Sequence, residues 1–340
     1  MKHMGAQKKK FVKDITENCE VEDLFLVRSK NNGITKNGKP YIALVLGDAT
    51  GEVKARIWDN AEKLGAAFQE GDLVKIKAFS ILYQGALQLN VSDIVALGEG
   101  VDVSGFLPSS QRDIETTFVQ LVGLIDEVQN EHLKQLLQIV FSDEALVSAF
   151  KKAPAAKALH HDYIGGLLDH TYMVACLVLA VQQYYPKVNR DLALAGALLH
   201  DIGKTQELSY ATSFDYSDRG RLLGHIVIGD EIVREKIALL PDFPIDLAMV
   251  LRHILLSHHG QYEFGSPKRP KTLEALLVGY LDDLDAKLYG FTRAITHEKS
   301  SREGWTTYNK LFDRYLYSGL VIDPDDNAKE RKERGNLHDE

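Results

Sequence analysis

The sequence predicts two domains of different class, a small closed β-barrel followed by an all-α domain, and three observations carry this. The 340 residues exceed what one average domain needs. From Phe11 to Leu97, short segments of alternating apolar and polar residues break at Gly, Asn and Asp, which is the period and punctuation of strands. After Val101 the apolar spacing becomes helical and stays so to about Gly319.

Five strands are expected, over Val21 to Ser29, Tyr41 to Leu46, Val53 to Trp58, Leu73 to Tyr83 and Ala86 to Ile94. Turns fall at Asn31 to Gly38, Asp48 to Gly51 and Gln84-Gly85, and a short helix at Asn60 to Phe68 separates the third strand from the fourth. That helix and the long first strand favour an OB-fold over a barrel of the SH3 type. Asp113 to Phe150 reads as helices joining the lobes, and Pro154 ends or kinks a helix. The expected organisation is a flexible start at 1–10, the barrel at 11–100, a helical linker at 101–152, the α domain at 153–320 and a charged, disordered tail at 321–340.

With 45% hydrophobic and 26% charged residues and nine prolines, the composition is that of a soluble globular protein. Cys19 and Cys176 lie too far apart in sequence for a Cys-x-x-Cys site, which excludes zinc fingers and favours a reducing compartment. The longest apolar run, Tyr172 to Val181, is about half of a bilayer span, so no membrane is expected and the cytoplasm is the expected location. A net charge of -8 excludes a surface coated with basic groups, although one lobe can still be locally basic.

The histidines concentrate between His160 and His259, in company with Asp201, Asp282, Asp283 and Asp285. The sharpest element is Leu198-Leu199-His200-Asp201-Ile202-Gly203-Lys204, an apolar helix ending in an imidazole and a carboxylate, then a glycine expected to turn the backbone. Adjacent groups at one helix end can bind one metal, His170 adds a nitrogen, and the second oxygen of Asp201 can bridge to another ion. His225, His258, His259 and Asp282 then complete two sites, while Lys204, one turn on, neutralises a phosphate oxygen. Nitrogen and carboxylate donors without sulfur suit Mn²⁺, Fe²⁺, Co²⁺, Zn²⁺ or Mg²⁺. Two such ions activate water for in-line attack, so no protein nucleophile is needed. The sequence has no G-x-S-x-G elbow and no phosphate-binding P-loop, and this inventory supports phosphoester hydrolysis.

On the barrel, Tyr41, Lys54, Arg56 and Trp58 read either as a surface that stacks bases and tracks phosphates, or as core aromatics with a solvated charged face; Lys75, Lys77 and Tyr83 read the same two ways. His160 and His161 either position a substrate phosphate or cap a helix after Pro154. His253 reads as a hydrogen-bonding core residue rather than a ligand, and Lys8 to Lys10 as a solvated terminus.

His170, His200-Asp201 and Asp282, in that order, resemble the signature of the HD superfamily of metal-dependent phosphohydrolases, and His225, His258 and His259 match its two-metal members. A narrower resemblance, to YhaM-type 3′-to-5′ exoribonucleases, covers nearly the whole chain. It rests on Asn37-Gly38-Lys39-Pro40-Tyr41, Asp48-Ala49-Thr50-Gly51-Glu52, Ala153-Pro154-Ala155-Ala156-Lys157, His160-His161, Gly165-Gly166-Leu167-Leu168-Asp169-His170-Thr171 and Ser257-His258-His259-Gly260. The resemblance implies removal of nucleotides from the 3′ end of single-stranded RNA with Mn²⁺ favoured, single-stranded DNA as a further substrate, and a leaning toward a homo-oligomer. Asp282 is preferred over Asp283 as ligand, with Asp285 one turn on supporting it. Gly166 stands where some relatives carry a metal-binding glutamate, so two ions are expected rather than three. Two rival readings remain, a hydrolase of small nucleotides or cyclic dinucleotides and a non-catalytic nucleic-acid scaffold.

Overall fold

The computed structural model describes residues 8–98, 103–157, 160–209, 215–297 and 304–319; the start of the expected flexible terminus and the expected disordered tail lie outside them. The first domain is a closed barrel of β1 (Glu20–Ile34), β2 (Pro40–Asp48), β3 (Gly51–Ile57), β4 (Leu73–Tyr83) and β5 (Ala86–Ala96), in the order β1-β2-β3-β5-β4, with helix α1 (Ala61–Gly65) between β3 and β4. Period-two patterning builds it. Along β4, Val74, Ile76 and Ala78 point inward while Lys75 and Lys77 point out, so one face fills the barrel and the other meets water.

β1 is longer than the sequence predicts. Its first half pairs with β4 and its second with β2, with a register shift between Val27 and Ser29 where the strand bends from one neighbour to the other. The polar Asn31 and Asn32, expected in a turn, instead pair with Ala43 and Ile42. The turn shrinks to Thr35–Lys39, closed by Thr35 N–H donating to Lys39 O at 2.8 Å. Ladder pairing satisfies the backbone there whatever the side chain. Lys8, read as part of a solvated start, has its side chain covered, with its ammonium 3.1 Å from Asp48 Oδ2 and 3.5 Å from the centre of the Phe25 ring.

Val103 and Leu107 of the following segment pack against Leu24, Leu26 and Leu73 of the barrel. Helices α2 (Ile114–Asp126), α3 (Glu131–Phe141) and α4 (Glu144–Lys152) come next, expected as a linker. Their Leu121, Leu133, Leu136, Val140 and Phe150 belong to the same apolar core as the later helices. The reason is their amphipathic spacing: a face that apolar cannot stay in water. Asp113, Asn130 and Asp143 cap their N-termini by accepting backbone N–H groups.

The remaining elements are α5 (Gly166–Gln182), α6 (Arg190–Leu199), α7 (Lys204–Glu207), a short hairpin of β6 (Leu208–Ser209) and β7 (Asp215–Tyr216), then α8 (Asp218–Ile237), α9 (Ile245–Ser257) and α10 (Leu273–His297). α6 is apolar on every side, and Leu192 through Leu199 are all buried, which makes it the central helix. Its C-terminus therefore delivers His200 and Asp201 into the interior. Among the described residues, no helix is long and apolar enough to cross a membrane.

Packing divides the chain into two compact units, residues 1–282 and 283–340. Within the second, the Phe291 and Phe312 rings lie 4.3 Å apart, Trp305 pairs with Tyr317 across an antiparallel bridge, and Leu316 is buried.

Candidate metal centre and nucleic-acid interface

The centre is assembled from helix ends and breaks. His170 lies in the first turns of α5, His200 and Asp201 follow α6, His258 and His259 follow α9, and Asp282 sits within α10. His225 follows Gly224, whose backbone (φ 74°, ψ 154°) breaks α8 into two segments. A glycine is required for that conformation. Gly203 has ordinary helical angles, so it does not turn the chain as expected. Its role is close approach: a Cβ there would lie 2.0 Å from His225 O and 2.6 Å from Gly229 N.

Among the described residues, the groups of ligand atoms that lie within 4.8 Å of one another include His170, His200 and Asp201, and His225, His258 and His259. Asp201 stands between them. Its Oδ2 is 3.5 Å from His170 Nε2 and 3.4 Å from His200 Nε2, while its Oδ1 is 3.6 Å from both His225 Nε2 and His258 Nε2. Asp282 Oδ1 joins the first group at 3.1 Å from His170 Nε2. Asp283 is exposed and pairs with Lys287, whereas Asp285, one turn beyond Asp282, is buried.

The histidine tautomers follow from their second nitrogens. His200 Nδ1 donates to Ala197 O at 2.8 Å, His258 Nδ1 to Leu255 O at 2.7 Å, and His259 Nδ1 to Phe264 O at 2.8 Å. His225 Nδ1 meets Glu207 Oε1 at 2.9 Å. With the proton on Nδ1, each Nε2 presents a lone pair, and these lone pairs face one another and Asp201. Both Asp201 oxygens and His258 Nε2 are buried without a hydrogen bond of good geometry. Converging acceptors buried in this way call for cations, and imidazole with carboxylate suits divalent transition ions or Mg²⁺.

Among the described residues, Lys204 brings a buried ammonium to these ligands. Its Nζ lies 2.6 Å from Asp201 Oδ2, so the charge assigned from sequence to a phosphate oxygen is engaged by the carboxylate. Burial pushes the Asp201 carboxyl up, but the charge of Lys204 against it outweighs burial and holds it well below the usual range. Burial lowers Lys204, yet Asp201 and Asp282 raise it further. Asp282 is likewise held low, the hydrogen bond with His170 overcoming burial.

His160 and His161 sit beside His170, at ring-centre distances of 5.7 and 5.6 Å. Burial, then the charges of Lys204 and His170, pushes His160 down to about 3, so it is neutral. His161 caps no helix. Its Nδ1 is 2.8 Å from Tyr163 Oη, which donates to Asp169 Oδ2 at 2.9 Å, and Ser110 Oγ donates to the same oxygen at 2.6 Å. Gly166 leaves no room for a side chain, since a Cβ would lie 2.0 Å from His161 O. His253 accepts the Lys271 N–H through Nε2 at 2.9 Å and is no part of the cluster.

On the barrel, Lys54 and Arg56 point outward from β3. Tyr41 and Trp58 lie outside the barrel core, with ring centres 5.1 Å apart, the Arg56 guanidinium 5.5 Å from the Tyr41 ring and Trp58 Nε1 donating to Asn90 Oδ1 at 3.2 Å. A cavity of about 580 Å³ beside them is lined by Lys30, Asn32, Tyr41, Glu62 and Gly65. Lys75 and Lys77 instead pair with Glu22, as a solvated charged face does. Sequence reasoning missed Glu207, whose role depends on a fold that brings it to His225.

The HD domain family matches residues 167–287, and the family described as OB-fold nucleic acid binding domain matches residues 26–97. Fold and centre together define a protein of the HD class with a divalent-metal centre and an OB-fold barrel in front of it. The 3′-5′ exoribonuclease YhaM of Geobacillus sp. (strain WCH70) is 34% identical over 89% of this chain and 94% of its own length. The same enzyme of Bacillus subtilis (strain 168) is 34% identical over 82% and 89%. The chain belongs to the YhaM family of 3′-5′ exoribonucleases. Among solved structures, the second OB-fold domain of replication protein A from Methanococcus maripaludis is similar at a TM-score of 0.22 and 17% identity, covering 27% of this chain and 96% of that one.

Proposed function

We propose that this protein hydrolyses single-stranded RNA from its 3′ end, using two divalent ions, Mn²⁺ as the working species. The observation that carries the reading is the position of Asp201, one oxygen toward His170 and His200 and the other toward His225 and His258. His170, His200 and Asp282 hold one ion with it, and His225, His258 and His259 hold the other.

Bound there, the ions supply an activated water and neutralise phosphoryl charge. Hydrolysis adds water across the terminal P–O3′ bond: the oxygen goes to phosphorus, the ribose O3′ leaves with a proton, and a nucleoside 5′-monophosphate is released. Lys204 keeps Asp201 ionised and adds positive charge beside the reacting phosphate. His160 and His161 border the ion held by His170 and contact the substrate phosphate, His161 being oriented through Tyr163 by Asp169. Asp285 supports Asp282 from one turn on. Tyr41, Trp58, Lys54 and Arg56 stack bases and follow the backbone upstream of the scissile bond. The catalytic domain is 153–320 and the RNA platform 11–100, and α2–α4 share the apolar core of the later helices as far as Leu281. The free thiols of Cys19 and Cys176 agree with a cytoplasmic location.

The test is a time course on 5′-labelled RNA with protein stripped of metal and resupplied with Mn²⁺, run beside single-stranded DNA, mononucleotides and cyclic dinucleotides. The expected result is a ladder shortening stepwise from the 3′ end of RNA only when metal is present. Intact RNA with hydrolysed small nucleotides assigns the other substrate class, and no hydrolysis at all assigns a binding scaffold.

A further inference from the structure

We infer that Glu207 is the positioning residue of the second metal site, holding His225 in the one orientation and tautomer that aim its Nε2 at Asp201. The inference rests on the two-ion reading above and concerns a residue outside the ligand set.

Glu207 is buried, and a single oxygen, Oε1, receives both the backbone N–H of His225 and its Nδ1, each at 2.9 Å. The break at Gly224 makes His225 the first residue of a new helical segment, whose N–H has no carbonyl behind it. Glu207 supplies that acceptor from another element and places negative charge at the positive end of the segment. The same oxygen fixes the Nδ1 proton, leaving Nε2 as the donor atom, 3.3 Å from His259 Nε2 and 3.6 Å from Asp201 Oδ1.

Two glycines clear the space for this contact. A Cβ at Gly220 would lie 2.2 Å from Glu207 O, and one at Gly203 would lie 2.0 Å from His225 O. α7 is therefore held between the corner that bears Asp201 and the break in α8. Its first residue, Lys204, engages Asp201 and its last, Glu207, engages His225. One helical turn thus couples the carboxylate between the two groups to a ligand of the second.

The experiment is calorimetric titration of the metal-free full-length protein with Mn²⁺, with its thermal unfolding measured without metal, for wild type, Glu207→Ala and Glu207→Gln. The expected result is two ions in wild type and, in Glu207→Ala, one of the two weakened by about 10- to 100-fold, the size of losing a partner behind a ligating histidine. In Glu207→Gln, which folds with minimal change of shape and whose amide oxygen still accepts a hydrogen bond, the loss is smaller. A Glu207→Ala or Glu207→Gln protein that melts earlier yet binds both ions as wild type does overturns the inference and leaves Glu207 a helix cap. A wild type that binds a single ion overturns the two-ion reading itself, and with it any second site for Glu207 to serve.

Discussion

His170 and His200, on different helices, bring their Nε2 atoms to 3.2 Å of each other in a fully buried setting. His200 Nδ1 faces a backbone carbonyl, so its Nε2 carries no proton and offers only a lone pair. Asp201 Oδ2 approaches both nitrogens. A divalent cation bound among these acceptors would relieve their mutual repulsion.

Asp201→Ala should therefore reduce hydrolysis by about a thousandfold or more, since a metal's charge stabilisation is several kcal/mol at 1.36 kcal/mol per decade. RNA affinity, measured by anisotropy on the barrel-competent protein, should change little. Full activity in this variant would remove the metal mechanism.

Chelation should leave the protein folded, because the helical core from Leu121 to Leu281 is apolar and does not pass through the ligands. Adding Mn²⁺ at a hundred times its Kd should stabilise it by about 2.7 kcal/mol through mass action. The measurement is the melting temperature with and without Mn²⁺, and Asp201→Ala should show a smaller rise.

Trp58→Ala and Tyr41→Ala should each raise KM for long RNA by about 5- to 150-fold, from 1–3 kcal/mol per stacked base. Turnover of a dinucleotide should be unaffected. Point variants are the right probe, because deleting the barrel would expose Val103 and Leu107. Equal effects on both substrates would move the RNA platform elsewhere.

His253 should make stability depend on pH. Burial, then Lys271, holds its imidazole below the ordinary 6.5, and protonating Nε2 would break the bond from Lys271 N–H. As pH falls through 6.5 the unfolded chain takes up the proton first, so stability is lost as pH drops toward the folded-state value. Denaturant midpoints at pH 7.5 and 5.5 should differ less in His253→Gln than in wild type.

Gly203→Ala should destabilise by about 1–3 kcal/mol or more, since its Cβ would meet unyielding backbone at His225 and Gly229. Gly123→Ala, exposed in α2 with open space around it, should instead stabilise by about 0.5–1 kcal/mol. Thermal unfolding of the two variants reads both signs.

The barrel and the helical domain were legible because strand and helix periods are local, repeating along the chain wherever one face is buried. The ordered spacing of His170, His200-Asp201, His225, His258-His259 and Asp282 was equally legible, since it is carried by residue type. Only the tertiary structure decided what those residues meet. The break at Gly224 and the fit at Gly203 depend on α7 packing into α8, a relation that no local pattern encodes. The same holds for Glu207 behind His225, for Lys204 on Asp201 rather than free, and for His253 beneath Lys271. Tautomer, charge and aim are set by neighbours distant in sequence, because a buried polar group takes its state from whatever the fold places against it.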